Sequence, residues 1–212
     1  MTDAVQFYTN PMSRGQIVRW MLEEVNAPYE THILQFAVSM KAPDYLAINP
    51  MGKVPAIVHK GHVVTECAAI CAYLAEAFPA AGLAPTDDER ADYYRWLFFA
   101  AGALESAMTH RASGFEPKDD QARMMLGYGT FDLAVDVLAD WLAGRDFVCG
   151  SRFTAADVYV GSMVLWGSQF GLLPSRPSFA AYGERLAARP AYQRQKAIDN
   201  ALIAEMQAPA PA

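Results

Sequence analysis

The segment from Asn49 to Leu74, NPMGKVPAIVHKGHVVTECAAICAYL, gathers the residue types and spacings that bear most directly on chemistry. Pro55 opens the apolar run Ala56-Ile57-Val58-His59, Lys60-Gly61 forms a two-residue turn, and His62-Val63-Val64 returns. That is the length and chemistry of a tight β-hairpin. Thr65-Glu66-Cys67 then starts a helix whose apolar positions recur at Ala69, Ile70, Tyr73, Leu74 and Ala77. With a cis Val54-Pro55 bond, Val54 turns its own N–H and C=O outward, where an extended peptide pairs with them as an added strand. The open amides at the start of the Glu66 helix attract a carboxylate. A proline also opens an edge strand with no such role, and that reading stands beside the first.

Asn49-Pro50 followed by Gly52-Lys53-Val54-Pro55-Ala56, then Glu66-Cys67-Ala68-Ala69-Ile70 and Tyr73-Leu74, resembles the glutathione-binding signature of cytosolic glutathione S-transferases. The resemblance runs through nearly the whole chain in order. It implies a cis proline at Pro55, main-chain pairing of Val54 with the cysteinyl part of glutathione, and Glu66 with Cys67 gripping the γ-glutamyl end. It also implies glutathione as co-substrate with no metal, and attack of its thiolate on a small hydrophobic electrophile, the chemistry of detoxification. A glutathione-dependent peroxidase or disulfide reductase, or a non-catalytic binding protein, would share the same site. Lys53 and Lys41 are the candidates for the glycyl carboxylate. Cys67 stands where the family usually has serine. A thiol donates more weakly than a hydroxyl, so the grip there rests on the Cys67 backbone N–H.

A thiol with pKa near 8.5 is mostly protonated at neutral pH, so a transferase of this family supplies donors beside the sulfur. The resemblance puts them in Tyr8-Thr9-Asn10-Pro11-Met12-Ser13-Arg14-Gly15, as in serine- and cysteine-type members. Ser13 is the first candidate, because hydroxyl, helix amides and helix dipole act together there. Its alternative is an ordinary cap for the first helix. Asn10 is the second, as an amide donor. Tyr8 matches the tyrosine-type residue by type alone, and Arg14 offers positive charge.

The elements that must carry these residues are legible from pattern. Val5 to Thr9 reads as a buried strand, and a helix follows with Ile17, Trp20, Met21 and Val25 on one face. Tyr29 to Leu34 reads as a second strand, parallel to the first. With the hairpin and the Glu66 helix this makes a βαβ-ββα α/β unit, the thioredoxin-like domain that the resemblance implies, over residues 1–80. Residues 81–86 read as a linker and 87–206 as an all-α helical domain, with 207–212 a Pro/Ala tail. Thr86-Asp87-Asp88-Glu89 matches a capping box, and helical patterns span 88–112, 118–143, 154–170, 175–189 and 191–206. Phe153-Thr154-Ala155-Ala156-Asp157-Val158 is a second capping box opening a helix apolar nearly all round, so Asp157 reads as structural. Tyr94, Phe98 and Met108 fall at helical spacing, and Trp166 follows later. They are the candidates for an electrophile pocket, with plain core as the alternative.

Composition narrows the classes. With 212 residues, 53% hydrophobic and 19% charged, the chain can bury a sizeable core. A net charge of −6 offers no basic field to nucleic acid or to an anionic membrane. The first ten residues lack a basic start and apolar run, and no stretch approaches 18 uninterrupted apolar residues, so neither signal peptide nor membrane span is expected. Three cysteines make no disulfide framework, which points to a reducing, cytoplasmic setting. The resemblance implies a homodimer.

Overall fold

The computed structural model describes residues 4–208. In chain order the elements are β1 (Val5–Thr9), α1 (Gly15–Glu24), β2 (Tyr29–Ile33), a 3-10 turn (Ser39–Lys41), α2 (Pro43–Leu46), β3 (Ala56–His59), β4 (His62–Thr65), α3 (Cys67–Ala77) and a 3-10 turn (Pro79–Ala81). Helices follow: α4 (Arg90–Phe99), a π turn (Ala100–Leu104), α5 (Glu105–Ala112), α6 (Asp120–Met124), α7 (Phe131–Leu142), α8 (Ala155–Gln169), α9 (Pro177–Ala187) and α10 (Pro190–Gln207). Contacts divide the chain into two units, one running to Leu83 and resuming at Ala188, the other Ala84–Ala187.

The first unit is built on a four-stranded sheet of order β2-β1-β3-β4. Strand β1 runs parallel to β2, with Val5 opposite Tyr29 and Thr9 opposite Ile33, and antiparallel to β3. The βαβ-ββα, thioredoxin-like arrangement is therefore the observed one. Alternation sets the buried face: Val5, Phe7 and Thr9 are buried while Gln6 and Tyr8 are only partly so. Ile17, Val18, Met21 and Leu22 of α1 and Ile70, Cys71 and Leu74 of α3 complete this core. Burial pushes the Cys71 thiol well above its ordinary pKa, which makes it an inert packing residue. The hairpin turns at Lys60 (φ +51°) and Gly61 (φ +81°), the two left-handed residues that a type I′ turn requires.

Helix α10, grouped by sequence with the helical domain, belongs instead to the first unit. Its buried positions include Gln195 and Asp199, which are polar, so apolar periodicity does not reveal its partner. The Arg19 Nε of α1 donates to Asp199 Oδ1 at 2.8 Å, and Gln195 Nε2 donates to Asp199 Oδ2 at 2.7 Å. The Arg189 guanidinium grips Glu24 with 2.6 and 2.8 Å contacts, and Arg194 reaches Glu23 at 2.9 Å.

In the second unit two expected helices differ from their pattern. The 118–143 helix is interrupted: Gly129 takes a φ of +67°, and Thr130 caps a new helix by accepting the Leu133 N–H at 3.1 Å. The 88–112 helix carries the π turn Ala100–Leu104 in its middle. At its start Glu89 does reach back to the Thr86 N–H at 2.9 Å, but the helix begins only at Arg90, and Glu89 also binds Arg152. Residues 209–212 of the expected tail lie outside the described residues. Helix α8 opens on a complete capping box at Thr154 and Asp157, and its first ten residues are buried. No helix among the described residues is long and apolar enough to cross a membrane.

Candidate active site

Sheet register collects the predicted residues of the first unit at one edge. Ala56 lies opposite Tyr8 on one side and Thr65 on the other. The next residue beyond this row is Thr9 on β1, Pro55 on β3 and Glu66 after β4. Three chain segments thus leave the sheet together: the Asn10–Gly15 loop, the Val54-Pro55 approach and the start of α3. The Cys67 Sγ, 3.8 Å from the Arg14 carbonyl oxygen, ties the first and third of these.

The Val54-Pro55 peptide bond is cis. Val54 is half-buried, with its side chain packed on Met40, Tyr45 and Ala56, and its main-chain N–H and C=O have no partner among the described residues. The loop before it is held firmly. Tyr45 Oη and Asn49 Nδ2 both donate to the Lys53 carbonyl, the latter at 2.8 Å, while Asn49 Oδ1 accepts the Met51 N–H at 3.1 Å. Burial pushes the Tyr45 phenol upward, so it stays a protonated donor. Lys41 Nζ donates to the Met51 and Gly52 carbonyls, at 3.0 Å each. Lys53 is exposed, and its ammonium has no partner among the described residues. Tyr45 was not a sequence candidate; the Asn49-Pro50 part of the resemblance pointed at this loop without revealing what it holds.

Glu66 is exposed at the N-cap of α3 and makes no side-chain cap. Its φ of +65° is rare for a residue with a Cβ and costs about 1–3 kcal/mol, a strain found mostly at functional positions. Cys67 behind it is buried at 9% exposure.

The Asn10–Gly15 loop sorts its donors. Asn10 is 1% exposed; its amide donates to the Leu34 carbonyl at 2.8 Å, and its Oδ1 accepts the Met12 N–H at 2.9 Å. It fastens two loops together and is poorly placed to reach a ligand sulfur. Ser13 is only partly buried, its hydroxyl donating to the Asn10 carbonyl at 2.6 Å and accepting the Gly15 N–H at 3.0 Å. The cap position itself falls on Arg14, so Ser13 lies one residue ahead of it. Gly15 is obligatory by space, since a Cβ there would come within 1.8 Å of Thr9 Oγ1. Tyr8 stacks on His32 with centroids 4.6 Å apart, a packing role. Among the described residues no group of three or more His, Cys, Asp or Glu is arranged to hold a metal ion.

The chain as a whole matches known proteins. Residues 12–77 fit the family model described as glutathione S-transferase, N-terminal domain, and residues 129–190 that described as glutathione S-transferase, C-terminal domain. Glutathione S-transferase GstA of Escherichia coli O157:H7 is 31% identical over 154 residues, covering 71% of this chain and 75% of that protein. The chain belongs to the glutathione S-transferase family. Glutathione S-transferase GST-4.5 of Xanthomonas campestris pv. campestris is 28% identical over 200 residues, 87% of this chain and 93% of that one. A sphingomonad glutathione S-transferase, solved in complex with glutathione, superposes with a TM-score of 0.74 at 28% identity, over 92% of this chain and 98% of that one.

The electrophile-pocket candidates of this family member lie in the helical unit and separate into two kinds. Tyr94 and Phe98 stack along α4 with centroids 6.4 Å apart, and Phe98 is 70% exposed. Trp166 on α8 is half-buried. Met108 is instead a core residue, 5% exposed, its methyl 3.0 Å from where a side chain on Gly167 would start. The π turn explains the difference. One extra residue in a turn rotates everything after it by roughly 100°, so the 3.6 spacing from Tyr94 and Phe98 does not carry through to Met108.

Proposed function

We propose that glutathione binds along the edge that collects Val54, Glu66 and Ser13, and that its thiolate attacks a small apolar electrophile. The observation that supports this best is the open main chain of Val54, at the same sheet edge as an outward-facing acidic residue at a helix start. The cysteinyl backbone of glutathione pairs with Val54 as an added strand. Glu66 and the Cys67 amide receive the γ-glutamyl end, and Lys53 faces the glycyl carboxylate. Ser13 is the donor to the thiolate, its O–H turning from the Asn10 carbonyl to the sulfur when the ligand is in place. Tyr94, Phe98 and Trp166 are the proposed apolar contacts of the electrophile. The working form is a homodimer in the reducing cytoplasm.

Two measurements test this reading. Glutathione is titrated by calorimetry and turnover is followed with an aryl halide; retention without turnover on any electrophile, or turnover confined to hydroperoxides or mixed disulfides, would reject the transferase assignment. Thiolate absorbance against pH is then compared for wild type and Ser13→Ala with glutathione bound. A raised apparent pKa of the bound thiol supports Ser13 as donor. An unchanged titration with lowered thermal stability reduces Ser13 to a loop-forming residue.

A further inference from the structure

The loop that delivers Val54 is fixed in an unusual way. Three consecutive carbonyls, of Met51, Gly52 and Lys53, are each bound by a side chain: the first two by Lys41 Nζ, the third by Tyr45 and Asn49. A trans peptide is planar, with its N–H opposite its C=O. Binding the Lys53 carbonyl on the side of Tyr45 and Asn49 therefore aims the Val54 N–H away from them. The two preceding planes are set by Lys41, and the chain fits closely under that ammonium. Gly52 takes a φ of +57°, and a Cβ on it would lie 2.7 Å from both Lys41 Nζ and the Met40 carbonyl oxygen. An ammonium offers three donors, so with two spent on carbonyls Lys41 acts here as a bracket.

We propose that Lys41 is a positioning residue that sets the direction of the Val54 main chain, rather than a contact for the glycyl carboxylate of the ligand. This rests on the glutathione reading above, and the two can fail separately. Lys41 holds Met51 and Gly52, Tyr45 and Asn49 hold Lys53, and together they present Val54 preformed, so that binding does not first have to order the loop.

The test compares glutathione with γ-glutamylcysteine, the dipeptide that lacks the glycyl residue, on wild type, Lys41→Met and Lys41→Arg. A bracket acts through the cysteinyl pairing that both ligands share, so Lys41→Met weakens both by the same factor, about 10-fold, as expected for losing charge-assisted hydrogen bonds. Lys41→Arg restores both to within about threefold, since a guanidinium can span two carbonyls. The loss falls on KM for glutathione while kcat is kept. Tyr45→Phe, which leaves Asn49 on the Lys53 carbonyl, gives the same pattern more weakly. If Lys41→Met weakens glutathione but leaves the dipeptide untouched, Lys41 touches the glycyl carboxylate and the proposal is wrong. If it weakens neither, the proposal is equally wrong. Amide exchange on the ligand-free protein removes the dependence on glutathione. The Met51 and Gly52 amides, bonded to Asn49 Oδ1 and the Asn49 carbonyl, exchange about 10-fold faster in Lys41→Met. Unchanged exchange overturns the bracket even if glutathione proves not to be the ligand.

Discussion

Helices α8 and α3 both begin beside an acidic residue, and they treat it in opposite ways. At the start of α8, Asp157 is fully buried and accepts from the Val148 N–H (2.7 Å), the Thr154 N–H (2.8 Å), the Thr154 hydroxyl (3.1 Å) and the Tyr182 hydroxyl (2.8 Å). At the start of α3, Glu66 is exposed, caps nothing and holds a left-handed φ. The first terminus has used up its hydrogen-bonding capacity within the fold. The second leaves its carboxylate exposed and unspent on capping, at a local conformational cost. A closed terminus stabilises and an open one binds, and each substitution below tests whether that division holds.

The largest effect is expected at the closed terminus. Asp157→Ala strands buried donors on Val148, Thr154 and Tyr182 and removes a helix cap, so unfolding in urea should show a loss of about 3 kcal/mol. Glutathione affinity of the folded fraction should not change. A loss below about 1 kcal/mol would mean that the capping box is ornamental and would break the comparison at its structural end.

Glu66→Ala should behave in the reverse sense. Losing a charge-assisted grip on the γ-glutamyl end costs about 1.5–3 kcal/mol of binding, or roughly 10- to 100-fold in affinity. Stability should move by no more than about 0.5 kcal/mol, because the side chain is exposed and caps nothing. Equal affinity of wild type and variant by calorimetry would remove Glu66 from the site.

A smaller effect separates the termini by pH. Burial outweighs the hydrogen bonds at Asp157 and pushes its carboxyl up to about 6. The folded state therefore holds this proton more tightly than the unfolded chain, whose Asp titrates near 3.9. The contribution of Asp157 to stability is fully present below about pH 4 and declines as pH rises through about 6. Urea midpoints measured from pH 4 to 7 should fall more steeply for wild type than for Asp157→Asn. Parallel curves would show that the carboxylate ionises inside the fold at no cost.

How much of this was legible in the sequence follows from the range of each interaction. Thr154-x-x-Asp157 is local, and so are the Lys60-Gly61 turn and the strand alternation of Val5 to Thr9; each appears in the structure where its pattern placed it. The Arg19–Asp199 pair joins residues 180 apart in sequence, and neither reads as buried by type, so the attachment of α10 to the first unit left no periodic trace. For Met108 the sequence left pocket and core both open, because the π turn that precedes this buried residue has no signature in Ala100-Ala101-Gly102-Ala103-Leu104. At the site itself, Pro55 and Glu66 were named from motif spacing. The bracketing of the 51–53 carbonyls depends on how a loop folds over Lys41, which no spacing rule reports.

Cys67 offers the smallest effect and the finest test of the open terminus. Its place at a helix start beside the proposed γ-glutamyl site suggests a thiol that glutathione should shield from reagents. The structure gives it 9% exposure and directs its Sγ to the Arg14 carbonyl, 3.8 Å away, so the side chain faces the start of α1. Labelling of Cys67 by a maleimide should therefore be slow and equal with and without glutathione. Cys67→Ser should keep glutathione affinity within about twofold and shift stability by only a few tenths of a kcal/mol, since a hydroxyl donates to the same carbonyl at similar volume. Strong protection by glutathione would show the sulfur turned toward the ligand. The open terminus would then begin at the side chain of Cys67, and Glu66 would no longer be its only reactive face.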